Sequence, residues 1–97
     1  MDTELLNLVK KCLGIIDSSN FKDEEINMLI ESARLDMIRQ GINVQKDDFL
    51  IKGTIVMYVK ANFGMTDVNE KRLASETYKY NCNNMSLSSE YKAVVQW

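Results

Sequence analysis

Neither histidine nor proline occurs in this chain of 97 residues. The first absence removes the usual general base and the commonest metal ligand. The second, together with only four glycines, argues against a turn-rich sandwich or barrel and favours long helices. Cysteine is scarce as well. Cys12 and Cys82 stand far apart and form no C-x-x-C spacing, so zinc-site and thioredoxin-like readings fail. Both fall at apolar helical positions, where the expectation is two buried thiols acting as small hydrophobes, not a disulfide in a reducing compartment. No apolar run is long enough to cross a bilayer. The start, Met1-Asp2-Thr3-Glu4, lacks the basic and apolar regions of a signal peptide. The chain therefore reads as cytosolic and soluble on synthesis, with no membrane partner. A formal net charge of −2 gives neither a basic nucleic-acid footprint nor an acidic tail.

What is present has globular proportions, 45% hydrophobic and 27% charged, in a length that suits one domain. Helical spacing predicts a first helix over about Thr3 to Leu13, with Leu5, Leu8, Val9 and Cys12 inward and Gly14 ending it. Asp17-Ser18-Ser19-Asn20 is a turn, after which Phe21 is expected to anchor the loop to the core. Asp23 is expected to cap a second helix whose buried face is Ile26, Leu29, Ile30, Ala33 and Met37, with Gly41 closing it. Ile42-Asn43-Val44 links to a third helix capped by Asp47 or Asp48 and running to Gly64. Ile55, Val56, Tyr58, Val59 and Phe63 cover most of its circumference, so it should stand enclosed as the central post from Phe49 to Phe63. Gly53 lies inside it, which suggests a close approach by a neighbouring helix. Asp67-Val68-Asn69-Glu70 resembles a capping box and opens a fourth helix. Its apolar stripe is Leu73, Ala74, Tyr78 and Cys82, and Asn81, Asn83 and Asn84 end it. The reading is all-α: a small four-helix, bundle-like domain over 1–84 and a C-terminal arm over 85–97.

Chemistry is hard to find in these elements. The glycines form no phosphate loop, and the serines have no partner base. The carboxylate pairs Asp23/Glu24 and Asp47/Asp48 sit where helix caps belong. Catalytic, cofactor-binding and metal sites are therefore assigned to no residue, no cofactor is implied, and an enzyme is the least favoured class. A helix-turn-helix would need a recognition helix exposing Arg, Lys, Asn or Gln. The third helix offers only Lys52 and Lys60, and the basic residues of the fourth are offset by Glu70 and Glu76.

Protein–protein association remains. The second helix has more apolar surface than one core face needs, through Leu35 and Ile38. The arm ends in Val94-Val95-Gln96-Trp97, an apolar tip. Six methionines offer adaptable packing surface. Leu35, Ile38 and Met57 suit either the core or an interface, and Trp97 suits docking. The candidate interface residues are Leu35, Ile38, Lys52, Met57, Lys60, Leu87, Tyr91, Val94, Val95 and Trp97.

Several blocks together resemble the small head–tail connector, or DNA-packaging, proteins of long-tailed bacteriophages and prophages. They are Asp23-Glu24-Glu25-Ile26 leading to Leu29-Ile30 and Ala33, then Leu50-Ile51-Lys52, then Tyr58-Val59-Lys60-Ala61-Asn62-Phe63-Gly64, and the distal Leu87-Ser88-Ser89-Glu90-Tyr91. The resemblance spans nearly the whole length. Gly14-Ile15-Ile16 and the stretch from Lys79 to Asn84 fit it less well. It implies a structural subunit without catalysis that forms a homo-oligomeric ring below the portal protein. The ring would extend the DNA channel and meet head-completion or tail proteins, and genomic DNA would pass without specific binding. The place implied is the head–tail junction of the virion, after a period in the bacterial host cytoplasm. The rival reading is a DNA-binding packaging factor of the small-terminase kind, or a helical regulator.

Overall fold

A computed structural model describes residues 3–16 and 18–93. Among them are four α-helices, α1 (Thr3–Cys12), α2 (Asp23–Arg39), α3 (Phe49–Asn62) and α4 (Val68–Leu87), with a short 3-10 turn at Val44–Lys46. The fold is all-α, as the spacing of apolar residues predicts. The described residues contain no strand, only one antiparallel bridge between Ile42 and Lys92.

α3 is the middle layer. It packs along α4 on one flank and against α2 and α1 on the other. Ile51, Thr54, Ile55, Val56 and Val59 of α3 are buried. Phe63 continues the core past the helix end. Thr54 is tolerated there because its hydroxyl donates to the Leu50 carbonyl at 2.7 Å and accepts from Asn81 Nδ2 at 3.2 Å. A buried polar group so paired avoids the desolvation cost of an unmet hydrogen bond. From α2 come Ile26, Ile30, Ala33 and Met37, and from α4 Ala74, Tyr78, Cys82 and Met85.

The post is not enclosed along its whole length. Phe49 is 88% exposed and Leu50 40%, because these first two residues precede the turn that enters the core. Gly53 is not a close-approach site, since a Cβ there would meet nothing within 4 Å. Val56, which shares a face with Lys52 and Lys60, is buried.

Termini follow local chemistry in most places. Gly14 and Gly41 adopt φ of +78° and +82°, the left-handed conformation that closes α1 and α2. Asp48 caps α3 by accepting from the Ile51 N–H at 3.0 Å, and Asp67 caps α4 through Asn69 at 3.1 Å. Asp23 departs from its expected role: it begins α2 without capping it. It faces Lys10 Nζ at 2.9 Å instead, a lysine that is only 2% exposed. A buried ammonium needs a counter-charge more than a helix end needs a cap. Phe21 is exposed and does not anchor its loop. Cys12 is exposed, while Cys82 is buried. α4 runs through the asparagines to Leu87, carried by the burial of Cys82 and Met85.

Candidate interaction surfaces

α2 and α4 each have two apolar rows. On α2 the inner row fills the core. On its outer side Met28, Leu35 and Ile38 are 69%, 61% and 53% exposed. They fall at i, i+7 and i+10, so they share one side of the helix. On α4 the inner row is Ala74, Tyr78, Cys82 and Met85. The outer row is Leu73, Tyr80 and Leu87, which recur every seven residues and are 54%, 68% and 76% exposed. Leu73 thus leaves the buried stripe expected for it. The seven-residue spacing was the signal that could have found this second row. α2 and α4 lie on different flanks of α3. They meet through Tyr78, whose hydroxyl donates to Asp36 at 2.5 Å. Burial first, and this bond second, push the Tyr78 hydroxyl far above its ordinary pKa.

A third feature lies where α3 begins and α4 ends. After Leu87 the chain turns and closes back on the body. Asn43 N–H donates to the Tyr91 carbonyl at 2.8 Å, and Ala93 N–H donates to the Gly41 carbonyl at 2.7 Å. The Tyr91 hydroxyl donates to Asp48, and the Lys46 ammonium lies 5.3 Å from the ring centre. The bond from Tyr91, followed by the Ile51 N–H, holds the Asp48 carboxyl below its ordinary value. The same bond raises Tyr91 to about 12. A hollow of about 220 Å³ opens beside this clasp, lined by Leu50, Asn84, Met85, Ser88 and Tyr91.

The residues expected at an interface do not gather into one patch. Leu35 and Ile38 are on the outside of α2, and Leu87 is on the outside of α4. Met57 and Tyr91 pack partly against the core. Lys52 and Lys60 are half-buried on α3. Val94, Val95 and Trp97 lie outside the described residues. A hollow of about 410 Å³ is lined mainly by amide, hydroxyl and tyrosine side chains of α2, α3 and α4. Burial raises the pKa of the Cys82 thiol, which keeps it in the unreactive form. Among the described residues no three His, Cys, Asp or Glu side chains are placed to hold a metal ion. No described helix is long and apolar enough to cross a membrane.

This all-helical architecture with exposed apolar rows accords with the sequence-level match. A family model described as "Phage connector protein" matches residues 5–92. The chain belongs to the phage connector protein family. The match takes in α2, α3, α4, all of α1 but its first two residues, and the turn that carries Tyr91. No curated protein and no solved structure matches this connector significantly. Membership implies a structural role at the phage head–tail connection, as a virion component and not an enzyme, with partners among head and tail proteins.

Proposed function

We propose that this connector is a ring subunit seated below the portal, where the ring extends the genome channel and joins head to tail. The observation that carries the reading is the apolar surface on two different flanks of the domain, outside α2 and outside α4, that the subunit's own core does not use. A closed ring needs a heterologous contact, in which one surface of a copy meets a different surface of the next. Two unlike faces on one subunit meet that requirement. The net charge of −2 suits a conduit, because tight phosphate contacts would retard the passing genome.

The segment 85–97 is read as the arm. Its first residues are tied to the body through Met85 and Tyr91, so the reach toward the portal or an adjacent subunit belongs to Val94, Val95 and Trp97. Lys52, Met57 and Lys60 of α3 are further candidates for the subunit interface. In the bacterial cytoplasm the subunit waits until the portal is in place.

Electron microscopy of the purified protein with and without its portal tests the proposal. Annular particles, alone or on the portal, are the expected result. Absence of rings in both samples, together with salt-sensitive binding to duplex DNA, would replace this reading with the packaging-factor one. Removing residues 94–97 is expected to leave the helical spectrum unchanged and to abolish docking on the portal. Normal docking by the shortened chain would reject the arm's role.

A further inference from the structure

The chain leaves the clasp on a defined course. Ile42 and Lys92 form an antiparallel bridge, flanked by the bonds from Asn43 N–H to the Tyr91 carbonyl and from Ala93 N–H to the Gly41 carbonyl. In an antiparallel pair each step forward on one side is a step backward on the other. Past Ala93 the chain is therefore headed away from the small hollow beside Tyr91 and toward Gln40, the C-cap of α2. Gln40 lines the hollow of about 410 Å³, and Ser86 near the end of α4 lines it as well. We propose that Val94-Val95-Gln96-Trp97 enters this hollow and that Trp97 packs there against the Tyr58–Tyr78 ring pair of its own subunit.

Reach is sufficient. An extended residue advances about 3.3 Å, so residues 94–97 span roughly 13 Å. The stretch of α4 from Ser86 back to Tyr78 rises about 12 Å. The chemistry also matches. None of the side chains of residues 94–97 is charged, so covering them strips no ion of its water. Tryptophan brings a large apolar ring and one N–H that needs an acceptor. The hollow offers both. The Tyr58 and Tyr78 rings meet edge to face with their centres 5.1 Å apart. Asp36 accepts from Tyr78 and from Gln40 through the same oxygen, Oδ2. Among the described residues Oδ1 takes no such bond, so it can accept from an indole N–H.

Tethering favours the subunit's own arm over that of a second copy. A short link holds its load at an effective concentration on the order of millimolar, well above that of other copies in dilute solution. The use of this contact, an arm held back until the portal draws it out, rests on the ring reading. The docking itself does not.

Trp97 is the single tryptophan, so the native chain carries its own reporter. In dilute protein without portal, its emission is expected at the short wavelength of a buried indole. Acrylamide quenching should be severalfold weaker than for free tryptophan amide, and both readings should hold through a wide dilution series. Ser86→Phe fills the hollow at the end nearest the clasp. Ser86 bonds only within its own helix, to the Asn83 carbonyl, so the variant is expected to keep its circular dichroism spectrum. Its indole should shift to longer wavelength and quench fully. Asn83→Phe, at an exposed position lining the same hollow, is the second block should Ser86→Phe misfold. Ile38→Glu, on the outer side of α2, should leave the emission unchanged. A fully exposed indole in the wild type overturns the docking. Release by Ile38→Glu but by neither filling variant overturns it in favour of the outer row of α2. Shielding that vanishes on dilution overturns it in favour of an arm from a second copy. All of these readings are taken on the free subunit, whereas the ring reading fails or stands on micrographs with the portal.

Discussion

α3 and α4 are neighbours of opposite character. α3 is the most apolar helix in the chain, yet its apolar side chains mostly vanish into the core, leaving Phe49 and Leu50 outside at its first turn. α4 is rich in Asn, Lys and Glu, yet it keeps Leu73, Tyr80 and Leu87 in water. Total hydrophobicity therefore does not locate the surface that is free to meet a partner. What locates it is whether an apolar row is out of phase with the row that faces the core. On α4 the two rows interleave within one polar-looking sequence.

The sharpest way to break that contrast is to truncate one residue of each kind. Ile55→Ala, in the fully buried middle of α3, is expected to cost about 4 kcal/mol, the transfer term plus an unfilled cavity. Urea denaturation measures it. Tyr80→Ser on the outer row of α4 should change stability by less than about 0.5 kcal/mol while impairing association. Comparable losses from the two would remove the distinction between core row and outer row.

The clasp at the start of α3 gives a smaller effect with a pH signature. Asp48→Ala should cost about 1 kcal/mol through the lost cap. The Asp48 carboxyl is held below its ordinary 3.8 in the folded state. Its contribution is therefore fully present above the unfolded value and disappears as pH falls through the lower folded one. Tyr91 acts at the other extreme. It is raised from 10.0 to about 12, so its contribution holds below about pH 10 and is lost as pH rises through 12. Thermal melts of wild type and Asp48→Ala between pH 2 and neutrality should converge at the acid end (~pH 2–3). Parallel curves would show that the Tyr91–Asp48 bond does not couple to folding.

The smallest expected change has the opposite sign. Gly53→Ala should stabilise α3 by about 0.5–1 kcal/mol, since the new methyl meets nothing within 4 Å and the helix loses a flexible residue. A loss of stability would restore the tight helix contact that the glycine first suggested.

Much of this was legible because local chemistry and tertiary packing agree. Gly14, Gly41, Asp48 and Asp67 mark helix ends by turn and cap chemistry alone, and the inner row of α2 follows from its period. The failures occur where a distant partner outweighs the local signal. Asp23 looks like a cap, but Lys10 lies across from it in space. Asn81, Asn83 and Asn84 look like a helix end, but Cys82 and Met85 are drawn into the core and carry the helix on. At the candidate surface, Leu35 and Ile38 were recognisable as surplus, because α2 already had a complete inner face. Leu73 and Tyr80 were not, because a row of three apolar residues among asparagines resembles ordinary scatter until the core-facing row is known.

The unequal burial of the two thiols makes the native chain chemically addressable at a single point. A maleimide dye should react with Cys12 and spare Cys82, placing one fluorophore on each protomer without mutagenesis. Stepwise photobleaching of single assembled particles would then count the copies in each.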